Sequence, residues 1–187
     1  MAKILVSLVS DQTVQNVQFI KEKSANCNQF LFISTKAMER GKKTAQIIQA
    51  AQLPESKSSA LIVEEFSFEQ IEEALRQKID SDNEYMVNVT GGTKIMSLAV
   101  FEFFKSTNTD CEIYYLTGQG NYIKLYPGKR KSFVLTNHLT LKEYLVAYGI
   151  KIKNPDAINH LCKPKPVVFS FFEKALTLRC TLFFGQI

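Results

Sequence analysis

Two short polar turns carry the groups best suited to chemistry in this sequence: Ser10-Asp11-Gln12-Thr13 and Asn88-Val89-Thr90-Gly91-Gly92-Thr93-Lys94. Each follows an apolar run and opens a stretch of helical spacing, so each sets small polar side chains at a helix N-terminus. There the free backbone N–H groups and the positive end of the helix dipole attract phosphate. Gly91 and Gly92 let a ligand approach the backbone, Thr90 and Thr93 supply hydroxyls and Lys94 supplies a positive charge, a set suited to a phosphodiester. A plainer reading stands beside this one: Gly-Gly makes a tight turn, and Thr90 or Thr93 caps the helix. Spacing alone leaves both open.

Other chemistry-bearing residues carry less. Gly-Gly-Thr-Lys lacks the G-x-x-x-x-G-K-[ST] frame of a P-loop, and neither glycine-rich turn matches G-x-G-x-x-G. Gly118-Gln119-Gly120 precedes a candidate hairpin strand and reads as turn chemistry, with ligand contact as the alternative. His138 and His160, the only histidines, have no acidic partner in view and read as structural. Glu55-Ser56-Lys57 has the E-x-K spacing of a nuclease, but it falls in a loop without a suitable acid before it. Cys27, Cys111, Cys162 and Cys180 are scattered and form no C-x-x-C pair, so no metal site, cofactor or disulfide framework is expected, and a reducing cytoplasm is the expected home.

The elements that must position the two turns follow from periodicity. Apolar runs at Ile4 to Val9, Phe30 to Ile33, Ala60 to Val63, Tyr85 to Val89 and Ile113 to Leu116 read as fully buried strands. Between them lie helical patterns, with Ala45, Ile48 and Ala51 on one face of the second and Ile71, Leu75 and Ile79 on one face of the third. From Ile95 to Phe104 the apolar residues cover almost the whole circumference, which calls for a second cover beyond the sheet, such as a partner subunit. Alternating strands and helices with short connections predict an α/β, Rossmann-like, doubly wound and mainly parallel sheet. In the order 3-2-1-4-5 the switch point lies between strands one and four, where the two polar turns would meet and where such sheets bind ligands. Tyr122 to Tyr126 and Ser132 to Thr136, around Pro127-Gly128-Lys129-Arg130-Lys131, read as a β-hairpin on the sheet edge. The basic tip reads as solvated, with an RNA path as the alternative. A short helix from Leu141 to Tyr148 closes the domain, giving a unit of residues 1–150 followed by a linker and helical extension over 151–187.

With 187 residues, 45% hydrophobic, 22% charged and a net charge of +5, the chain has room for one full α/β domain and a mild bias towards anionic partners. The first apolar run is too short for a signal segment, and the run from Val167 to Phe184 is broken by Glu173, Lys174 and Arg179, so neither secretion nor a membrane span is expected. The last segment has too few periodic helices for a helix-turn-helix, and no DNA partner is expected.

The opening Ile4-Leu5-Val6-Ser7-Leu8-Val9-Ser10-Asp11-Gln12-Thr13 with Asn16-Val17-Gln18-Phe19-Ile20, together with Asn88 to Met96, resembles the CARF (CRISPR-associated Rossmann fold) domains of type III CRISPR systems, above all the sensor half of CARF-fused restriction-like nucleases. The resemblance implies a homodimer that binds a cyclic oligoadenylate, cyclic tetra-adenylate first among them, across its two-fold axis in antiviral signalling. A ring of four identical nucleotides can itself adopt two-fold symmetry. Carried over by position, Ser10, Gln12, Thr13, Thr90, Gly91, Gly92, Thr93 and Lys94 would meet phosphate and ribose, with Asp11, Asn88 and Gly118 completing the candidate ligand set. The helix from Ile95 to Phe104 would help form the subunit interface. No R-x₄₋₆-H ribonuclease motif or ordered carboxylate cluster follows, so effector chemistry is not expected here. The enzymatic alternative within the resemblance is a ring nuclease that linearises the ring by metal-independent attack of a ribose 2′-hydroxyl, with Lys94 against the developing charge and Ser10 or Thr13 positioning the ribose. Standing alone, serving a separate partner and belonging to a longer effector are all compatible with these residues.

Overall fold

The computed structural model describes residues 1–107, 109–118 and 120–151; the expected C-terminal helix, His160, Cys162, Cys180 and the run Val167 to Phe184 lie outside them. In chain order the elements are β1 (Lys3–Leu8), α1 (Thr13–Lys23), β2 (Gln29–Ser34), α2 (Lys36–Arg40), α3 (Lys43–Ala50), β3 (Ser58–Ile62), α4 (Phe68–Lys78), β4 (Glu84–Asn88), α5 (Lys94–Ser106), β5 (Asp110–Leu116), β6 (Asn121–Tyr126), β7 (Lys131–Val134) and α6 (Leu141–Ala147). They build one sheet in the order β3-β2-β1-β4-β5-β6-β7. The first five strands pair in parallel, and β6 and β7 add as an antiparallel hairpin. The predicted 3-2-1-4-5 order and edge hairpin are therefore the observed ones.

Side chains of the central strands alternate between two cores. Val6, Leu8, Ile33 and Val87 pack with Ile71, Leu75, Ala99, Val100 and Phe104 under α4 and α5. Leu5, Val9, Phe32 and Met86 pack on the other face with Val17, Ile20, Ile47 and Ala147 under α1, α3 and α6. Burial on both faces is why these strands read as continuous apolar runs instead of alternating ones.

Three expectations need correction. Ala60 to Val63 was expected to be fully buried, but β3 is the sheet edge and Ile62 is 42% exposed. The inward face of α3 is Thr44, Ile47 and Ala50, one position before the predicted stripe. Lys42, in a left-handed conformation (φ 54°), separates α2 from α3 and resets the phase of that stripe. In α4, Ile71 and Leu75 are buried as predicted, but Ile79 has left the helix as its extended cap.

α6 is tied to α1. Thr140 and Glu143 form a capping box, Lys21 Nζ donates to both Glu143 carboxylate oxygens at 2.7 and 2.8 Å, and Glu22 accepts the backbone N–H groups of Thr136 and Asn137 at 3.1 and 2.9 Å. The hairpin is held by aromatic packing, with Lys23 Nζ lying 4.9 Å from the Tyr114 ring centre and 4.7 Å from that of Tyr122.

Candidate functional site

The site begins where two paired strands part company. β1 and β4 stay in register through Ser7 and Asn88. Just beyond, Val9 N–H donates to the Ile33 carbonyl of β2 at 2.9 Å while Val89 N–H donates to the Tyr114 carbonyl of β5 at 3.0 Å. This is the switch point of the sheet, where doubly wound folds form their ligand crevice between the carboxyl ends of the strands, and the β1–α1 and β4–α5 turns are its lips. Its floor is a buried polar network: Ser7 Oγ accepts from Asn16 Nδ2 at 2.8 Å and from Asn88 Nδ2 at 3.1 Å, and Asn16 Nδ2 also reaches the Leu8 carbonyl at 2.6 Å. Ser7, Asn16 and Asn88 are at most 1% exposed.

Gly91 brings the lips together. A Cβ on it would lie 2.1 Å from the Leu8 carbonyl oxygen and 3.4 Å from Ser10 Oγ, so only glycine lets the β4–α5 turn lie against the end of β1. Gly92 sits at φ 73°, where a side chain is strained.

The hydroxyls of the β4–α5 turn are already engaged. Thr90 Oγ1 donates to Asn88 Oδ1 at 2.5 Å and accepts the Leu116 N–H at 2.7 Å, which ties β4 to the end of β5. Thr93 is the N-cap of α5, accepting the Met96 N–H at 3.2 Å and donating to the Glu65 carbonyl at 2.9 Å. The capping reading of these residues is thus present in the structure. Lys94 alone in this turn offers an exposed side chain, with no ion pair or hydrogen bond among the described residues.

The β1–α1 turn is built the other way. Ser10 is half-buried and Gln12 exposed, and neither side chain has a hydrogen-bond partner among the described residues. Gln12 occupies the N-cap position of α1 without capping it, and the first turn of α1 holds no acidic residue. The N-terminal N–H groups of this helix thus lack a side-chain partner at the cap. Asp11 is exposed and pairs with Lys43 at 3.5 Å. Thr13 is fully buried and gives its hydroxyl to the Ala147 carbonyl of α6, so it points into the core and away from the crevice.

Of the predicted residues, Ser10, Asp11, Gln12, Gly91, Gly92 and Lys94 line or frame the crevice, while Thr13, Asn88, Thr90 and Thr93 are committed to internal hydrogen bonds. Gly118 lies on the β5–β6 turn, one strand beyond β4, with open space around it. His138 is exposed, and Glu55-Ser56-Lys57 forms a short surface turn. Ser7 and Asn16, quoted only among the residues that carry the resemblance, and Lys43 were not among the candidate site residues; the signal for Asn16 is a polar side chain set among the apolar Val14, Val17 and Ile20.

Beside Lys94, an open depression of about 510 Å³ is lined by Thr90, Gly92, Leu98, Phe101, Tyr115 and Leu125. α5 buries Met96, Ala99, Val100, Phe103 and Phe104 against the sheet, but Leu98 is 59% exposed and Ile95 and Tyr115 are partly bare. Among the described residues no three His, Cys, Asp or Glu side chains are grouped to hold a metal ion, and no helix is long and apolar enough to cross a membrane. Cys27 and Cys111 are free thiols, and burial pushes the Cys111 thiol up to about 11.

A family model described as the Card1 CARF domain matches residues 4–144. No curated protein matches the sequence. Among solved structures, Can2 from Sulfobacillus thermosulfidooxidans, determined in complex with cyclic tetra-adenylate, is 27% identical with a TM-score of 0.67 over 85% of this chain and 44% of that one. Protein VC1899 from Vibrio cholerae is 16% identical with a TM-score of 0.68, over 82% of this chain and 41% of that one. A type III CRISPR defence DNA nuclease activated by cyclic oligoadenylate is 17% identical with a TM-score of 0.57, over 78% of this chain and 24% of that one. The last two likenesses speak for the fold alone. This chain spans less than half the length of each of the three.

Proposed function

This chain belongs to the Card1 CARF domain family, and from that premise we propose that it binds a cyclic oligoadenylate, cyclic tetra-adenylate foremost, as the sensor of type III CRISPR antiviral signalling. The observation that carries this reading is the crevice at the strand switch. Gly91 locks its two lips together, and among the described residues Ser10, Gln12 and Lys94 have no side-chain partner and α1 starts without a side-chain cap. Uncapped donors at a helix N-terminus and the Lys94 cation, unpaired among the described residues, suit the phosphodiesters of a ring. Can2, the relative at 27% identity, holds cyclic tetra-adenylate, which favours that ring size.

The sensor unit spans residues 1–150 and works as a homodimer in the cytoplasm. Support for the dimer comes from the exposed apolar residues Ile95, Leu98 and Tyr115, which lie beside the crevice next to the half-buried Phe101. A dimer across these residues would set two crevices around one ring.

The ring-nuclease alternative retains Ser10 and Lys94, whose side chains are unpaired among the described residues, and loses Thr13, whose hydroxyl is held by Ala147. Calorimetric titration with cyclic tri-, tetra- and hexa-adenylate, followed by chromatography of the ring, tests both. The expected result is saturable binding of the tetra-adenylate with the ring recovered intact. A linear product would establish the alternative, and no binding of any ring would overturn the sensor reading.

A further inference from the structure

The Lys43 to Asp11 ion pair has no evident structural task. Its partners stand 3.5 Å apart, with the aspartate 78% exposed and the lysine only 20%. A pair whose carboxylate is this exposed adds little stability. Asp11 nevertheless lies on the open lip between Ser10 and Gln12, where a carboxylate repels any anion that enters. Lys43 is the first residue of α3, set there by the left-handed turn at Lys42 and by Glu39, which accepts the hydroxyls of Ser34 and Thr44. A cation is therefore held beside the lip by backbone geometry, neutralising the one negative charge on it.

We propose that Lys43 is a phosphate-binding residue of the crevice, held in reserve by Asp11 and handed to a phosphodiester of the ligand when the ring binds. The proposal rests on the cyclic oligoadenylate reading and adds a contact from α3 that neither polar turn supplies. In the free protein Asp11 shields Lys43 and discourages small stray anions with its own charge. A ring carrying several phosphodiesters brings enough negative charge to compete for the lysine, and the aspartate turns out to solvent, where it is already mostly exposed. Asp11 thus raises the threshold for occupancy, and Lys43 adds affinity once the threshold is passed.

The test is titration of the full chain with cyclic tetra-adenylate at several salt concentrations. Lys43→Gln is expected to weaken binding about ten-fold, the scale of one charge-assisted contact. It should also lower the slope of log K against log salt by roughly 0.7, the value of one phosphate contact to a single strand. Lys43→Arg should keep the slope, and Asp11→Asn should tighten binding about three-fold, as expected for removal of a competing surface charge. Lys3→Gln is the control for net charge, because Lys3 pairs with Glu84 at the opposite ends of the strands. Wild-type binding with Lys43→Gln indistinguishable from Lys3→Gln, or Asp11→Asn weakening the ring, overturns the proposal alone. Wild type that binds no ring overturns the sensor reading and the proposal with it.

Discussion

The two lips of the crevice differ in a way their sequences conceal. The β4–α5 turn has the richer motif, yet Thr90 and Thr93 are consumed by β5, by the Glu65 carbonyl and by the α5 N-terminus, and Asn88 is buried beneath them. The β1–α1 turn looks plain, yet among the described residues Ser10 and Gln12 keep unpaired side chains and α1 starts without a side-chain cap. A buried polar group without a partner costs about 1–3 kcal/mol, so polar groups packed between strands become internal struts and those at the rim stay available. One lip spends its hydroxyls on shape; under the proposed function the other is the one that meets the ligand.

The sharpest way to break this division is Gly91→Ala. Its methyl group would have to displace the Leu8 carbonyl, and because the clash is with backbone on both sides the expected loss is about 3 kcal/mol, read as a fall in the urea midpoint. Stability within about 0.5 kcal/mol of wild type would mean that the lips are not locked by contact at this residue.

Asn88→Ala comes next. It removes the acceptor shared by the Thr90 N–H and hydroxyl and a donor to Ser7, leaving buried groups unmatched, and should cost about 2 kcal/mol. Ring affinity should fall along with stability, since Thr90 and the start of α5 lose their anchor. A variant of native stability with weakened ring binding would move Asn88 from strut to ligand contact.

Thr13→Val and Ser10→Ala test the other lip as a pair. Thr13→Val should cost about 1 kcal/mol, the worth of its bond to Ala147, and leave ring affinity within two-fold. Ser10→Ala should leave stability unchanged and weaken the ring about five-fold, one neutral hydrogen bond. Exchange of these outcomes would reverse the roles assigned to neighbouring hydroxyls.

The sequence made the architecture legible because a doubly wound sheet writes itself in alternating periodicity. Both faces of β1, β2, β4 and β5 are covered, so each strand is a short apolar block, and the switch point follows from strand order alone. The burial of β3 was misread because an edge strand keeps β-branched residues without having two covered faces. The face of α3 was misread because the reset at Lys42 leaves no apolar signature. Within the site, spacing brought the two turns together correctly but could not rank their hydroxyls. Thr13 and Ser10 are equally polar in sequence, and only the packing of α6 against α1 decides which one is buried. Lys43 was invisible for a related reason: its place beside Asp11 depends on a tertiary contact between α1 and α3.

Acid should separate the two sides by the smallest effect. The β4–α5 turn is joined by amides, hydroxyls and carbonyls, none of which titrates in the acid range. The β1–α1 side leans on α6, which is held to α1 by Glu143, while Glu22 of α1 holds the loop before it. Burial by itself would raise the Glu143 carboxyl, but the Lys21 ammonium and the Thr140 N–H outweigh it and hold the group below its ordinary 4.5. Burial opposes the shift of Glu22 too, and the Asn137 and Thr136 donors together bring it down. A carboxyl lowered on folding stabilises the protein above its unfolded value, and that contribution fades as pH drops through the lowered folded value. The window therefore opens below pH 4.5 and closes on the acid side of the folded values. Both groups are partly exposed, so solvent screening keeps the effect modest. Hydrogen-exchange protection factors followed downward from pH 5 should fall first at Tyr144 to Ala147 in α6 and later at Met96 to Val100 in α5, with Glu143→Gln removing much of that difference. Equal loss in both helices would show that α6 and the lip behind it are not a separately titrated unit, and that the division between the lips ends at the crevice.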